Sequence, residues 1–380
     1  MADTDPQIHW TDDDGRPQQA RWRSLAGHPA PAHVVLVDER TRADVAYRLA
    51  CEGSALLWRG DYRGARQLLL ALTRRIERPA PRSAKPAQSL TEAFHLHRQR
   101  QAQRARILGQ LLLPFDADHG VALPSAPDLR AAGRQARGEV TEHYVATLRE
   151  LLGLIGAHEW RKKGVVIAAL GAAIHPHHGV FSPVRGEYVG LVAQAPLPAA
   201  AASAGAFDIG TGTGVLAALL ARRGLRVTAT DLSPAALACA GDNLQRLGLA
   251  GAVSLQAADL FPAGRAGLVV CNPPWLPAQP SSPLEAAVYD PGSRMLRGYL
   301  AGLADHLAPG GEGWLILSDL AERLGLRSRA ELQGWIASAG LQVLGRIDTR
   351  PQHRRAADRD DPLFEARAAE VTSLWRLGLA

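Results

Sequence analysis

Cysteine is rare in this sequence, and the three that occur, Cys51, Cys239 and Cys271, match no disulfide or metal-site spacing. No apolar run approaches the roughly 20 residues that cross a bilayer. The acidic segment Met1 to Asp5 lacks the basic start and apolar stretch of a signal peptide. These absences argue against a disulfide-stapled secreted domain and a membrane protein, so we expect a reduced, cytoplasmic protein with no membrane partner.

Lysine is also scarce, since only Lys85, Lys162 and Lys163 occur among 43 basic residues. The formal net charge of +6 permits an acidic partner such as nucleic acid. An arginine-, alanine- and glycine-rich composition of this kind also follows from GC-rich coding. The charge therefore allows a nucleic-acid partner without requiring one.

A metal site is not expected. His175, His177 and His178 lie together in a turn with Pro176, but no cysteine or carboxylate stands at ligand spacing near them. The histidines are better explained as part of an irregular turn.

The length of 380 residues suggests two domains. Residues 1 to about 40 give no clear element, but the helical patterns that follow predict a mainly helical accessory or substrate-recognition domain over residues 1–160. The helical patterns are Arg42 to Cys51, Tyr62 to Ile76, Ser89 to about Leu112 and Val140 to Trp160. The basic residues between His95 and Arg106 form either a nucleic-acid contact face or a solvated helix face. Residues 161–204 predict a linking hairpin and helix, and residues 205–380 predict a catalytic α/β domain.

A glycine turn opens the catalytic domain. The run from Phe207 through Asp208 to Gly214 reads as a strand, a turn with Gly210, Gly212 and Gly214, and the start of a helix. Glycines let the chain turn sharply and let a ligand approach bare backbone at the N-terminus of the helix.

Acidic residues follow the next two predicted strands. Asp231 ends the strand from Val227, where a carboxylate can accept hydrogen bonds from both hydroxyls of a ribose. The third strand, Val253 to Gln256, is followed by Asp259, Leu260 and Phe261, which could meet the edge and face of an adenine. This half of the domain is thus expected to bind a nucleoside.

The most distinctive motif is Asn272-Pro273-Pro274-Trp275, directly after the apolar strand ending at Cys271. Asn272 offers a side-chain carbonyl, and Pro273 offers a main-chain carbonyl whose direction the fixed proline φ restricts. Trp275 offers a flat apolar face. These groups suit a planar group bearing an NH2, with two acceptors for its protons and a ring for stacking. A proline turn that caps a strand is the alternative, and Cys271 is expected to pack in the strand.

A nicotinamide-dependent enzyme also combines a glycine turn with an acidic residue. The spacing here is Gly-x-Gly-x-Gly, without the third glycine of Gly-x-Gly-x-x-Gly. A dehydrogenase also has no use for Asn-Pro-Pro-Trp after its fourth strand. The combination therefore favours a different enzyme class.

From about Gly179 to Ala380 the sequence resembles class I S-adenosylmethionine-dependent N-methyltransferases that carry an (Asn/Asp)-Pro-Pro-(aromatic) motif. The resemblance implies that Asp208, Gly210, Gly212 and Gly214 line the cofactor, and that Asp231 binds its ribose. It also implies that Asp259 lies by the adenine and that Asn272, Pro273, Pro274 and Trp275 hold the target nitrogen, with Asn272 also beside the cofactor.

The same resemblance implies a doubly wound, mostly parallel seven-stranded Rossmann-like sheet beside the helical N-terminal domain. The later strands, Trp314 to Leu317, Leu341 to Ile347 and Glu370 to Leu377, complete such a sheet if the last is antiparallel. A helix from Ser293 to Leu307 precedes the first of these strands, and a helix capped by Ser328 and Glu331 lies between the first and the second.

Two subfamilies compete. Gly179-Val-Phe-Ser182 resembles ribosomal RNA guanine-N2 methyltransferases, which carry a large N-terminal domain, and we favour an exocyclic amine of an RNA base as acceptor. The alternative is a glutamine methyltransferase acting on a release factor or ribosomal protein, a subfamily with a helical N-terminal domain. Trp275 replaces their usual Phe or Tyr, and Val184 to Glu187 departs from the Arg-Pro-(Glu/Asp)-Thr stretch of the glutamine enzymes. A non-catalytic RNA-binding module is a third possibility.

Overall fold

The computed structural model describes residues 6–78, 87–183, 186–351 and 358–380. Three stretches lie outside the described residues. They are the proline-rich break at 79–86, residues 184–185 at the start of the stretch that differs from the glutamine enzymes, and residues 352–357 within the charged segment Arg350 to Asp361. The chain forms two compact units, one of Met1–Pro86 with Leu96–Glu159, and one of Ala87–His95 with Trp160–Ala380.

The first unit contains a mixed six-stranded sheet with strand order β1-β2-β6-β5-β4-β3. Its strands are β1 (Gln7–Thr11), β2 (Pro17–Trp22), β3 (Val34–Val37), β4 (Ala55–Trp58), β5 (Leu111–Phe115) and β6 (Tyr144–Thr147). The helices that lie within it are α1 (Ala43–Glu52), α2 (Tyr62–Ile76) and α4 (Arg130–Arg137), and α3 (Leu90–Leu108) and α5 (Leu148–Lys163) contribute residues to both units. β3, β4 and β5 run parallel, and β6 is antiparallel to β5.

The prediction of a mainly helical N-terminal domain is wrong. Leu111 and Leu112, expected at the end of a helix, belong to β5, and Tyr144 to Thr147, expected inside another helix, forms β6. All four residues of β6 are buried, as are all four of β4. Short, fully buried apolar segments carry no clear periodicity, so their sequence does not separate strand from helix.

The second unit contains the seven-stranded sheet predicted from the sequence. Its strands are β9 (Ala206–Ile209), β10 (Val227–Asp231), β11 (Val253–Ala257), β12 (Ala266–Cys271), β13 (Leu307–Ser318), β14 (Leu341–Thr349) and β15 (Thr372–Leu379), and β7 (Val165–Ile167) and β8 (Ala172–Ile174) pair as a separate antiparallel hairpin. The sheet order is β11-β10-β9-β12-β13-β15-β14. The first five strands are parallel, and β15 is antiparallel to both of its neighbours. The predicted doubly wound, mostly parallel sheet is confirmed.

Apolar cores cover both faces of this sheet. Along β12, Leu268 and Val270 face one core, to which α6 (Glu187–Gln194) and α8 (Val215–Arg222) contribute. Val269 and Cys271 face another core, to which α10 (Arg294–His306) and α12 (Arg329–Ser338) contribute. A strand buried on both faces is expected to be uniformly apolar, and all six residues of β12 are buried. The helices are α6 (Glu187–Gln194), α7 (Ala199–Ala204), α8 (Val215–Arg222), α9 (Pro234–Arg246), α10 (Arg294–His306), α11 (Leu320–Arg323), α12 (Arg329–Ser338) and α13 (Phe364–Ala368).

Local signals in the sequence set several of these elements. Ser328 and Glu331 form the predicted capping box of α12. The alanine-rich segment Pro196 to Ala204 contains the short helix α7 (Ala199–Ala204). Within the described residues, no helix is both long enough and apolar enough to pass through a bilayer.

Candidate active site

Four predicted site segments leave the sheet from adjacent parallel strands. β11, β10, β9 and β12 are neighbours in this order, so their carboxyl ends meet along one edge. Thr230 pairs with Ile209, and Ile209 pairs with Cys271, which aligns the ends of the three central strands. Ligands of open α/β sheets bind outside such an edge. The topology thus brings the segments around Asp259, Asp231, Gly210 and Asn272 together.

The glycine turn is held against the neighbouring strand by main-chain hydrogen bonds. The carbonyl of Thr230 accepts from the N–H of Gly210 at 2.9 Å and of Thr211 at 2.8 Å. Gly210, Gly212 and Gly214 all have positive φ. A Cβ placed on Gly212 would have no atom within 4 Å, whereas one on Gly210 would meet the Met295 methyl group. The turn therefore has a tightly packed side and an open side.

Asp231 fixes the open side of this turn. One carboxylate oxygen, Oδ2, accepts from the N–H of Gly212 at 2.9 Å, and Oδ1 accepts from the N–H of Ser233 at 2.9 Å. Each oxygen of a carboxylate can accept more than one hydrogen bond. Asp231 can therefore hold the glycine turn and still accept from two hydroxyls of a ligand.

Asp208 is the buried carboxyl beneath the turn, with 1% of its surface exposed. Its Oδ2 accepts from the Thr211 hydroxyl at 2.7 Å and from the N–H of Ala217 at 3.0 Å. Burial raises its pKa to about 6, against the effect of these two hydrogen bonds. Asp208 thus ties the strand, the turn and the first turn of α8 together.

Asp259 is paired with a residue that the sequence analysis did not identify. The Arg294 guanidinium donates to Oδ2 of Asp259, and both side chains are exposed. Phe261, expected to offer a face to adenine, stacks on His306 with ring centroids 4.2 Å apart. No local sequence signal links Arg294 to Asp259, because α10 begins in a different part of the chain.

The segment that leads into α10 also contacts the glycine turn. The buried carboxylate of Asp290 accepts from the N–H groups of Met295 and Leu296, at 2.9 and 3.3 Å. Ser293 adopts φ of 55°, an unusual conformation for a residue with a side chain. The Asp-Pro-Gly-Ser sequence signals a turn, but only the fold shows that it carries Met295 to Gly210.

The Asn272 to Trp275 motif forms a turn at the carboxyl end of β12. The indole N–H of Trp275 donates to Oδ1 of Asn272 at 3.0 Å. Trp275 is half-buried and packs against the apolar cores on both sides of the sheet, while Pro273 is buried. The hydrogen bond within the motif was not foreseen, and it uses one of the two lone pairs of the Asn272 carbonyl.

Tyr188, near the start of α6, is a further residue that sequence reasoning missed. Its hydroxyl hydrogen-bonds the side chain of Asn272, and its ring is 7% exposed. Burial raises its pKa well above the usual value, so the hydroxyl stays protonated near neutral pH. Its sequence neighbours gave no sign of this contact.

Cys271, the residue before this motif, is fully buried. It belongs to the same core as Tyr299 and Leu315. Burial raises the pKa of its thiol well above the ordinary range, which leaves little thiolate for nucleophilic chemistry. This burial agrees with the expected packing role.

The histidine turn before α6 is hydrogen-bonded to α9. His177 Nε2 lies 3.1 Å from Oδ2 of Asp242, and Asn243 Oδ1 accepts from the N–H of His175 at 2.7 Å. Asn243 also donates to the carbonyl of Thr213 in the glycine turn at 3.0 Å. Among the residues that the structure describes, no group of three or more His, Cys, Asp or Glu side chains could hold a metal ion.

Residues 171–321 match the family model of the methyltransferase small domain. Among curated proteins, the chain is 37% identical over 161 residues to a release factor glutamine methyltransferase of Cereibacter sphaeroides, covering 38% of this chain and 55% of that protein. It is 42% identical over 120 residues to a protein of the same name from Moorella thermoacetica, covering 27% and 42%.

A third relative has a different name. The chain is 32% identical over 111 residues to the ribosomal RNA small subunit methyltransferase C of Alcanivorax borkumensis, covering 29% of this chain and 30% of that protein. The chain thus spans about half the length, or less, of these curated relatives.

Proposed function

We propose that this protein transfers a methyl group from S-adenosylmethionine to a planar amino or amide nitrogen, since residues 171–321 match the family model of the methyltransferase small domain. The observation that carries the proposal is the adjacency of two turns. Gly210 and Asn272 follow paired residues of β9 and β12, so a nucleoside on the first turn and a nitrogen on the second lie next to each other.

The donor set of the glycine turn fits this cofactor. Gly212 presents backbone with open space where a side chain would otherwise stand. Beside it, both carboxylate oxygens of Asp231 are fixed by main-chain N–H groups. Asp231 would accept from the ribose hydroxyls, Asp259 would lie by the adenine, and Gly210, Gly212 and Gly214 would line the methionine part.

The protein's contribution is alignment. When bound, S-adenosylmethionine would supply a sulfonium methyl group to the acceptor nitrogen. A neutral thioether would leave, and the methylated nitrogen would lose one of its protons to solvent. Oδ1 of Asn272 and the carbonyl of Pro273 would each accept one hydrogen of the acceptor NH2. These two hydrogen bonds would hold the nitrogen in place and help to free its lone pair from the adjacent π-system. Alignment of this kind accounts for a large part of the rate in bimolecular reactions.

An exocyclic amine of an RNA base is the first candidate acceptor. The ribosomal RNA methyltransferase among the relatives supports it. So does the first unit, whose six-stranded sheet differs from the helical N-terminal domain that a resemblance to the glutamine enzymes implies. In this proposal the N-terminal unit recognises the substrate, and the basic residues of α3 contribute to RNA binding.

The glutamine amide of a release factor or ribosomal protein is the second candidate acceptor. Its specific support is the higher identity to two release factor glutamine methyltransferases, 37% and 42%. A glutamine amide is also planar and has two N–H groups, so the Asn272 turn suits it equally. Both acceptors belong to the translation machinery, which would place the reaction in the cytoplasm.

Labelled methyl transfer separates these functions. Purified protein is incubated with methyl-labelled S-adenosylmethionine and with total RNA or total protein from cells that lack the gene. Label in RNA supports the first candidate, and label in a protein of release-factor size supports the second. Label in neither fraction, with the cofactor bound, would overturn the enzyme assignment in favour of a binding module.

A further inference from the structure

The Asn272 carboxamide is engaged at both of its polar atoms. Its Oδ1 accepts from the indole N–H of Trp275 at 3.0 Å. The same Asn272 side chain also contacts the Tyr188 hydroxyl. Two side chains from different elements therefore contact opposite ends of one amide.

The chemistry of Trp275 decides which way this amide points. Oxygen and nitrogen of an asparagine amide are hard to distinguish by shape, so the hydrogen-bond partners must assign them. An indole N–H can only donate. The atom facing Trp275 is therefore the carbonyl oxygen, and the NH2 group faces Tyr188, whose hydroxyl can accept.

Counting lone pairs shows what this arrangement leaves available. A carbonyl oxygen has two acceptor positions, and Trp275 occupies one on Oδ1 of Asn272. One acceptor position remains, which matches one hydrogen of a substrate NH2. If the amide turned over, it would present N–H groups to the substrate N–H and could not accept from it.

We propose that Trp275 and Tyr188 are positioning residues, which hold the Asn272 carboxamide so that one lone pair of Oδ1 stays directed at the acceptor nitrogen. The inference rests on the proposed function, since it assigns the acceptor nitrogen to Asn272. It gives Trp275 a task that phenylalanine cannot perform, because phenylalanine keeps a flat ring but has no N–H.

Kinetics test the positioning role through Trp275→Phe and Tyr188→Phe. Each variant keeps the ring and loses one hydrogen bond to the amide. Loss of one such bond corresponds to roughly a tenfold fall in kcat. The KM for the acceptor and the dissociation constant for S-adenosylhomocysteine should change less than twofold.

Trp335→Phe is the matched control, because Trp335 is also half-buried against the apolar core that contains Tyr299. Wild-type kcat in Trp275→Phe would overturn the proposal, as would a loss confined to cofactor binding.

A spectroscopic measurement tests the same contact without any activity. The Trp275 indole resonance is identified by its absence from the ¹H–¹⁵N spectrum of Trp275→Phe. In wild type it should exchange slowly with solvent, and in Asn272→Ala it should exchange faster and move upfield. An unchanged shift and exchange rate would show that no hydrogen bond joins the two side chains, which overturns the proposal.

The two tests distinguish this inference from the proposed function. If wild type transfers no methyl group, the proposed function fails, and the indole measurement alone decides whether the amide is held. If wild type is active and Asn272→Ala is not, but Trp275→Phe matches wild type, only the positioning inference fails.

Discussion

Cys271 of β12 lies beside Ile209 of β9 in the parallel ladder, so the residues that follow them, Asn272 and Gly210, leave the sheet at neighbouring positions. This register places the glycine turn next to the Asn272 turn, and the proposed function assigns the cofactor to the first turn and the acceptor nitrogen to the second. The two turns are far apart along the chain, since α8, β10, α9, β11 and β12 lie between Gly210 and Asn272.

Replacing Asn272 with alanine should abolish most of the turnover and leave cofactor binding intact. The variant removes the one free acceptor on Oδ1, and loss of one preorganised polar contact in an active site costs on the order of 10²–10³ in kcat. Initial rates on the substrate found by methyl labelling measure the effect. Gln342→Ala removes an exposed amide from β14 and should match wild type. A rate in Asn272→Ala equal to wild type would remove Asn272 from the mechanism.

Replacing Asp231 with alanine should weaken cofactor binding. The carboxylate holds the N–H of Gly212 and is expected to accept from the ribose, and hydrogen bonds to charged groups typically contribute about 1.5–3 kcal/mol. We expect the dissociation constant for S-adenosylhomocysteine, measured by calorimetry, to rise by about ten- to a hundredfold. Asp305→Ala, an exposed carboxyl on α10, should bind as wild type does. Equal affinity of Asp231→Ala and wild type would contradict this assignment.

Gly212 and Gly248 form a matched pair for testing the open side of the turn. Both have positive φ, 55° and 70°, and a Cβ on either would have no atom within 4 Å. Alanine at either position should therefore cost a similar conformational strain, about 1 kcal/mol in the free energy of unfolding. Only Gly212→Ala should also lose affinity for S-adenosylhomocysteine, because only this Cβ would enter the proposed cofactor site. If both variants bind equally well, the cofactor does not approach Gly212.

Asp208 should make stability depend on pH in a direction opposite to that of an ordinary ion-paired carboxyl. Burial raises its pKa in the folded protein to about 6, above the reference value of 3.8. The folded protein therefore holds this proton more tightly than the unfolded chain. The resulting stabilisation is complete below about pH 3.8 and is lost as the pH rises through about 6.

Asp208→Asn tests this dependence because the amide oxygen can still accept from Thr211 and Ala217. Urea unfolding of both proteins between pH 4 and pH 7.5 should show that wild type loses up to about 3 kcal/mol relative to the variant as the pH rises. Parallel pH profiles for the two proteins would mean that Asp208 does not titrate in this range.

In the first unit, the sequence predicted a long helix correctly but did not predict the strands. The helix α2 was predicted with its observed bounds, Tyr62–Ile76, because its apolar residues recur at helical spacing over four turns. Leu111 and Leu112 of β5 and all of β6 were assigned to helices, because a buried segment of four or five residues fits either structure. Their identity depends on pairing with each other, as Leu112 does with Thr147.

The second unit was easier to predict, because residues with specific backbone requirements mark its turns. Glycines with positive φ, an acid at the end of β10 and prolines after β12 each act on their immediate neighbours, and all lie where the sequence placed them. The partners of the polar side chains were not predictable. Arg294 beside Asp259 and Tyr188 beside Asn272 bring together residues from separate elements.

The sequence by itself determined the succession of strands and turns along the second unit and the residue types at the strand ends. Strand periodicity and turn formation depend on residues that are close along the chain. Only the tertiary structure decided that the first unit contains a sheet, that Met295 lies against Gly210, and that Trp275 and Tyr188 hold the two ends of one amide. These features depend on which distant segments bury one another. A hydrogen-bond donor in the sequence does not specify its acceptor until that burial has placed the two side chains together.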